Sequence, residues 1–141
     1  MIPAAMRVRP ISVAIIDDSA VVRGLFARWL GEAGDINVVG IHPNGPDALR
    51  RIGLVQPDVV LLDLAMPGID GLQLLPLIGE MLPDSKVLVV SGASQAGADA
   101  TLRCLMRGAA EYLPKPSAMD PEQGAEAFRA QLLDKIRSLA A

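Results

Sequence analysis

Val59-Val60-Leu61-Leu62-Asp63-Leu64-Ala65-Met66-Pro67-Gly68 carries an unbroken apolar run into a carboxylate and then turns at Pro-Gly. A run this short and this apolar reads as a strand covered on both faces, as in a parallel sheet with helices on either side. Asp63 stands where the strand runs out. In open α/β sheets that end of the strands is where ligands bind.

The same grammar repeats on both sides of this stretch. Ile11-Ser12-Val13-Ala14-Ile15-Ile16 is strand-like and ends in Asp17-Asp18, with Ser19 placed to cap a helix. Val21, Val22, Leu25, Phe26, Trp29 and Leu30 then recur at helical spacing, with Arg23 and Arg28 on the other side and Gly31 and Gly34 closing the helix. Residues 36–41 predict a second strand and 46–53 a second helix. Beyond Asp63, Asp70-Gly71 opens a third helix carrying Leu72, Leu75, Ile78 and Met81; Pro76 inside it removes a backbone donor and predicts a kink or an early end. Residues 86–90 form a fourth strand ending at Ser91-Gly92. Residues 98–107 form a fourth helix, with Leu102, Leu105 and Met106 inward. Residues 109–113 form a fifth strand, stopped by Pro114-Lys115-Pro116. After a polar loop, Phe128, Leu132, Leu133, Ile136 and Leu139 mark a last helix. Strands and helices alternate, with connections too long for hairpins. That predicts an α/β fold whose parallel sheet has helices on both faces through right-handed crossovers.

The totals restrict the function. The chain's 141 residues suit one domain, read as a flexible lead-in over 1–10 and a single unit over 11–141. Although 51% of residues are hydrophobic, no apolar run approaches the ~20 residues that span a bilayer, and the start has no apolar segment of signal-peptide length. The expectation is a cytoplasmic protein without membrane insertion. Cys104, the single cysteine, fits a reducing compartment and a buried structural thiol. A net charge of −3 with scattered basic residues gives no electrostatic footprint for direct nucleic-acid binding.

Asp17-Asp18, Asp63, Ser91 and Lys115 each stand at or just past a strand end. In a flavodoxin-like five-stranded sheet of order 2-1-3-4-5, the first and third strands are neighbours at the switch point, so Asp17, Asp18 and Asp63 converge there. Three carboxylates in one cleft repel unless a cation joins them, and an all-oxygen set suits Mg²⁺ better than zinc. Lys115 adds a fixed positive charge and Ser91 a hydroxyl, making a site for a phosphoryl group. Taken singly, Asp17-Asp18 is an ordinary turn and cap, Asp63 a capping carboxylate, and Lys115 a solvated lysine. Their joint placement at one sheet edge overturns that. Trp29 reads as core, His42 as solvated or cap-adjacent, and Asp70 as a helix cap.

Ile16-Asp17-Asp18-Ser19, Leu62 through Gly71, Val90-Ser91-Gly92-Ala93 and Tyr112-Leu113-Pro114-Lys115-Pro116 together resemble the receiver domain of bacterial two-component response regulators, over residues 11–140. The resemblance implies that Asp63 accepts a phosphoryl group from the phosphohistidine of a sensor histidine kinase. Asp18, Asp63 and the backbone carbonyl of Ala65 would hold Mg²⁺, with Asp17 acting mainly through water. Lys115 would pair with phosphoryl oxygens, and Ser91 would move to hydrogen-bond one of them while Tyr112 turns inward. Gly92, Ala65 and Ala93 would leave access to the phosphoryl position, so that a very long-lived phosphoryl state is not expected. The Lys115–Pro116 bond would be cis. Phosphorylation would repack the fourth helix–fifth strand face, where an output domain or protein partner binds.

A closer resemblance is to the receiver of chemotaxis-type protein-glutamate methylesterases, on Asp17-Asp18-Ser19-Ala20, Pro114-Lys115-Pro116-Ser117, the loop that follows, and the stretch from Phe128 to Ile136. The chain has no Gly-x-Ser-x-Gly elbow and its one histidine is His42, so it carries no esterase chemistry of its own. The alternatives are a stand-alone single-domain regulator, a receiver of another output class, a phosphorylation-independent adaptor, and a phosphatase of the haloacid-dehalogenase type. The last places a second Asp where this chain has Ala65.

Overall fold

Val59 and Leu61 turn to one side of the sheet and Val60 and Leu62 to the other, and all four are buried. This period-two alternation feeds two cores at once. The sheet has the order β2-β1-β3-β4-β5, all strands parallel. Its strands are β1 (Ile11–Ile16), β2 (Ile36–His42), β3 (Val59–Leu62), β4 (Lys86–Ser91) and β5 (Glu111–Pro114). The helices are α1 (Ala20–Glu32), α2 (Gly45–Arg51, running into a 3-10 turn over Ile52–Leu54), α3 (Gly71–Met81), α4 (Ala98–Met106) and α5 (Ala125–Ala140). This computed structural model describes residues 9–92, 98–116 and 124–141. Ala93, the polar loop over 117–123 and all of the expected lead-in except Arg9 and Pro10 lie outside the described residues. Arg9 donates to both carboxylate oxygens of Asp58, at 3.0 and 3.1 Å.

One core joins Phe26, Trp29 and Leu30 of α1 to Phe128, Leu132 and Ile136 of α5 across Val13, Ile15 and Leu61. Phe26 stacks on Trp29 and on Phe128, with ring centroids 5.8 and 6.0 Å apart. Trp29 is thus core, as its spacing predicts. The other core joins Ala48 and Ile52 to Leu74, Leu75 and Ile78 of α3 and to Cys104 of α4, across Ala14, Ile16, Val60 and Leu62. Burial of each large side chain in these layers contributes roughly 1.5–3 kcal/mol. Among the described residues no helix is long and apolar enough to cross a membrane.

Several expected faces are corrected. On α4, Leu102, Leu105 and Met106 point outward, Met106 with 78% of its surface exposed, while Cys104 is fully buried. Apolar spacing marks one helical face but does not say which face meets the sheet. Here the covered face carries Cys104, and the large side chains are left outside. Val21 at the start of α1 is exposed for a related reason, since it lies in the first turn beyond the sheet edge. On α3, Leu74, Leu75 and Ile78 are buried, whereas Met81 in the last turn is exposed. Pro76 neither shortens nor interrupts α3: the helix runs on to Met81 with Pro76 on its exposed side. Only one ladder bond is lost there.

His42 is buried rather than solvated. Its Nδ1 lies 2.9 Å from Asp47 Oδ2 in the first turn of α2, so the cap-adjacent half of the expectation holds. Nε2 is buried with no partner among the described residues. The ring fits because residue 40 is glycine, where a Cβ would stand 2.8 Å from Nε2. A register shift between Val13 and Ala14 sets Ala14 opposite Gly40 and brings Ile16 level with His42.

Candidate functional site

Register makes the site. Ile16 pairs with Leu62, and Leu62 with Val89, so Asp17 and Asp63 leave the sheet side by side. The Asp63 amide donates to the Ile16 carbonyl at 2.9 Å. On the far side, Ser91 pairs with Pro114 and its carbonyl accepts the Lys115 amide at 2.6 Å. One carboxylate oxygen from each of Asp17, Asp18 and Asp63 lies within 4.8 Å of the others. Lys115 Nζ stands 2.7 Å from Asp17 Oδ2 and 3.7 Å from Asp63 Oδ1. The Ser91 hydroxyl points at Asp63 Oδ1 from 3.4 Å, long for such a bond.

The three carboxylates are held differently. Asp17 is buried and engaged at every polar atom. Its amide donates to the His42 carbonyl (3.1 Å), and its own carbonyl accepts from Arg23 Nη1 (2.8 Å). Its Oδ1 accepts from the Ser19 amide (2.9 Å), and its Oδ2 accepts from Lys115. Asp18 is exposed. Asp63 is 5% exposed, and its carboxyl is pushed up from 3.8 to about 6. Desolvation is the largest cause, then repulsion from Asp17. The Lys115 ammonium opposes this, Asp18 adds repulsion, and a hydrogen bond from the Ala65 backbone favours the ion.

The donor set fits Mg²⁺. Its all-oxygen octahedron retains several waters, which the open Asp18 side admits, and the three carboxylate oxygens, within 4.8 Å of one another, can draw closer around a cation. The negative charge of the three carboxylates exceeds the positive charge of Lys115 and Arg23 beside them, which supplies the attraction.

Of the other expected residues, Ala65 is exposed beside Asp63 and Gly92 is half-buried at the end of β4, whereas Ala93 lies outside the described residues. Tyr112 on β5 is half-buried. Its hydroxyl is buried without a hydrogen-bond partner among the described residues and is raised in pKa, first by burial, then by Cys104 and Asp63. Burial also raises the Cys104 thiol, which keeps it in the unreactive form. The expected cis bond before Pro116 is absent, since no described peptide is cis. The Lys115 amide is fixed on the Ser91 carbonyl instead, and the ammonium reaches both aspartates from a trans backbone, the cheaper state.

Two contributors escape sequence reading. Arg23 is placed opposite the apolar stripe by its spacing, yet it stands one turn after the Ser19 cap and reaches back to the Asp17 carbonyl. Gly71 opens α3 directly against the backbone of the loop that follows Asp63. Its amide donates to the Leu64 carbonyl at 2.9 Å. A Cβ there would stand 2.7 Å from Leu64 Cα and nearer still to the Asp63 carbonyl oxygen. Backbone atoms cannot swing aside, so Gly71→Ala is expected to destabilise the protein by about 2–3 kcal/mol, measured by urea denaturation. A variant with wild-type stability would show that the α3 start has room to move.

Residues 13–128 match the response regulator receiver domain family. Over 129 residues, 92% of this chain, the sequence is 46% identical to a protein-glutamate methylesterase/protein-glutamine glutaminase of Caulobacter vibrioides, of which it covers 37%. A similarly named protein of Maricaulis maris is 42% identical over 91% of the chain and 32% of its own length. The chain thus spans about a third of the length of these curated relatives. In structure it is similar to the response regulator domain of Thermotoga maritima CheB (TM-score 0.83, 30% identity, 94% of this chain and 97% of that one). It is also similar to the BeF3-activated receiver domain of Klebsiella pneumoniae RstA (TM-score 0.74, 26% identity, 92% and 97%). The match over most of the chain, the shared fold and the acidic strand edge lead to one conclusion: this chain belongs to the response regulator receiver domain family.

Proposed function

We propose that Asp63 accepts a phosphoryl group from a sensor histidine kinase in a Mg²⁺-dependent reaction, and that the chain acts as the regulatory part of a cytoplasmic chemotaxis methylesterase. The observation that carries this is the placement of Asp63 between two further carboxylates and the Lys115 ammonium at the strand edge. In the transfer, a carboxylate oxygen of Asp63 bonds to phosphorus as the bond from phosphorus to the kinase imidazole nitrogen breaks, and the electron pair leaves with that nitrogen. Lys115 moves from Asp17 toward the phosphoryl oxygens, and the Ser91 hydroxyl donates to one of them. Asp18, Asp63 and the Ala65 carbonyl, with Asp17 through water, would hold Mg²⁺, which would supply neutralisation of the phosphoryl charge.

The output follows from the opposite end of β5. Movement of Ser91 frees space that the Tyr112 ring follows, which alters the face of α4 and β5. Exposed Leu102, Leu105 and Met106 give that face an apolar surface for an output domain or protein partner. In this reading residues 11–141 form the receiver unit and 1–10 a lead-in. The similarity to methylesterases over this stretch supports the assignment of output class.

The test is incubation with Mg²⁺ and acetyl phosphate, read by intact mass. Wild type is expected to gain one phosphoryl group, and to gain none in EDTA. A gain that persists in Asp63→Asn would sink the assignment of the acceptor.

A further inference from the structure

We infer that Arg23 is a positioning residue for the cation site, acting through the Asp17–Asp18 peptide. Among the described residues Arg23 makes no ion pair; its guanidinium is directed at a backbone carbonyl, that of Asp17, from 2.8 Å. It stands on the first turns of α1, whose own start is fixed by the Ser19 cap, the Val22 amide donating to Ser19 Oγ at 3.2 Å. The arginine therefore ties the β1–α1 turn to a rigid helix. The other three polar atoms of Asp17 are held by the sheet, the turn and Lys115, and among the described residues only Arg23 grips the peptide that leads into Asp18. Asp18 is the exposed member of the acidic cluster, so its place depends on that peptide rather than on packing around its side chain. A guanidinium suits this work because its fork of donors is planar and permanently charged.

The inference rests on the reading of the acidic cluster as a Mg²⁺ site, and it makes a prediction opposite in sign to simple electrostatics. Removal of a positive charge near three carboxylates should by itself strengthen cation binding. Loss of a positioning contact should weaken it, and supporting contacts of this kind change metal affinity by about tenfold or more. Calorimetric Mg²⁺ titration of the full chain at pH 7.5 separates the two. Arg23→Met is expected to bind Mg²⁺ about tenfold more weakly. Arg23→Lys, which keeps the charge and the aliphatic stem but loses the fork, is expected to be roughly two- to threefold weaker. Saturating Mg²⁺ should return acetyl-phosphate labelling of both variants toward wild type, which a general loss of structure would not allow. If Arg23→Met does not fold, Arg23→Lys alone decides, by weaker or by unchanged binding. Binding that is unchanged or tighter in the folded variants overturns the role of Arg23 and leaves the Mg²⁺ reading standing. Failure of wild type to bind Mg²⁺ overturns both.

Discussion

Asp63→Asn is expected to make the metal-free protein more stable at pH 7.5 while it abolishes phosphoryl transfer. Asp63 is buried beside two other carboxylates, and its carboxyl is raised from 3.8 to about 6, chiefly by desolvation and then by Asp17. A group whose folded pKa lies above its unfolded value adds stability below the unfolded pKa and loses it as pH rises through the folded one. The favourable state of Asp63 is thus the protonated acid, complete below about pH 4 and gone above about pH 6 to 7. A rise from 3.8 to about 6 corresponds to about 3 kcal/mol at neutral pH. Asparagine removes the charge but weakens the contacts with Lys115 and Ser91, so the net gain is expected to be about 2 kcal/mol. In thermal unfolding without Mg²⁺ that is an increase of roughly 6–10 °C in Tm at pH 7.5, shrinking toward zero at pH 4. Added Mg²⁺ should stabilise wild type and leave the variant unmoved. Equal or lower stability of Asp63→Asn at pH 7.5 would show that Asp63 is not strained by its surroundings.

The second large effect concerns Lys115. Its ammonium is mostly buried and lies between Asp17 and Asp63. Lys115→Met leaves three carboxylates facing each other with no cation between them. Breaking a buried pair from one side costs about 3–5 kcal/mol; the open Asp18 side admits water, so the lower end is expected here. The pH dependence should also sharpen, because the ammonium is what opposes the rise of the Asp63 carboxyl. Mg²⁺ should restore a large part of the lost stability, since a divalent ion takes over neutralisation, but labelling by acetyl phosphate should stay low because no ammonium meets the phosphoryl oxygens. Urea denaturation with and without Mg²⁺ reads this directly. A variant as stable as wild type in EDTA would mean that Lys115 is not what balances the acidic cluster.

Much of this fold is legible in the sequence. Strand ends at Asp17, Asp63, Ser91 and Lys115 follow from apolar runs cut short by polar residues, and the sheet order then forces them together. The misreadings share a cause. Leu102, Leu105 and Met106 are a true helical stripe, but periodicity is blind to which face a neighbour covers, and on α4 the covered one carries Cys104. His42 looked like a polar residue at a strand end; its burial depends on Gly40 making room and on Asp47 across the turn, neither of which is a local signal. Pro76 does not shorten α3, because the loss of one hydrogen bond is small against a helix face buried at Leu74, Leu75 and Ile78. Arg23 and Gly71 act on backbone atoms, and backbone partners leave no trace in side-chain patterning. The acidic cluster and its lysine are therefore easier to read from the sequence than the residues that hold them.

The central claim is that Asp63, and neither of its acidic neighbours, takes the phosphoryl group. An aspartyl phosphate is an acyl phosphate, which borohydride reduces to homoserine, so the acceptor can be marked and read by peptide mass spectrometry. After Mg²⁺ and acetyl phosphate, position 63 is predicted to read as homoserine, with Asp17 and Asp18 unchanged. Homoserine at position 17 or 18, or phosphorylated protein with none at 63, would contradict the account.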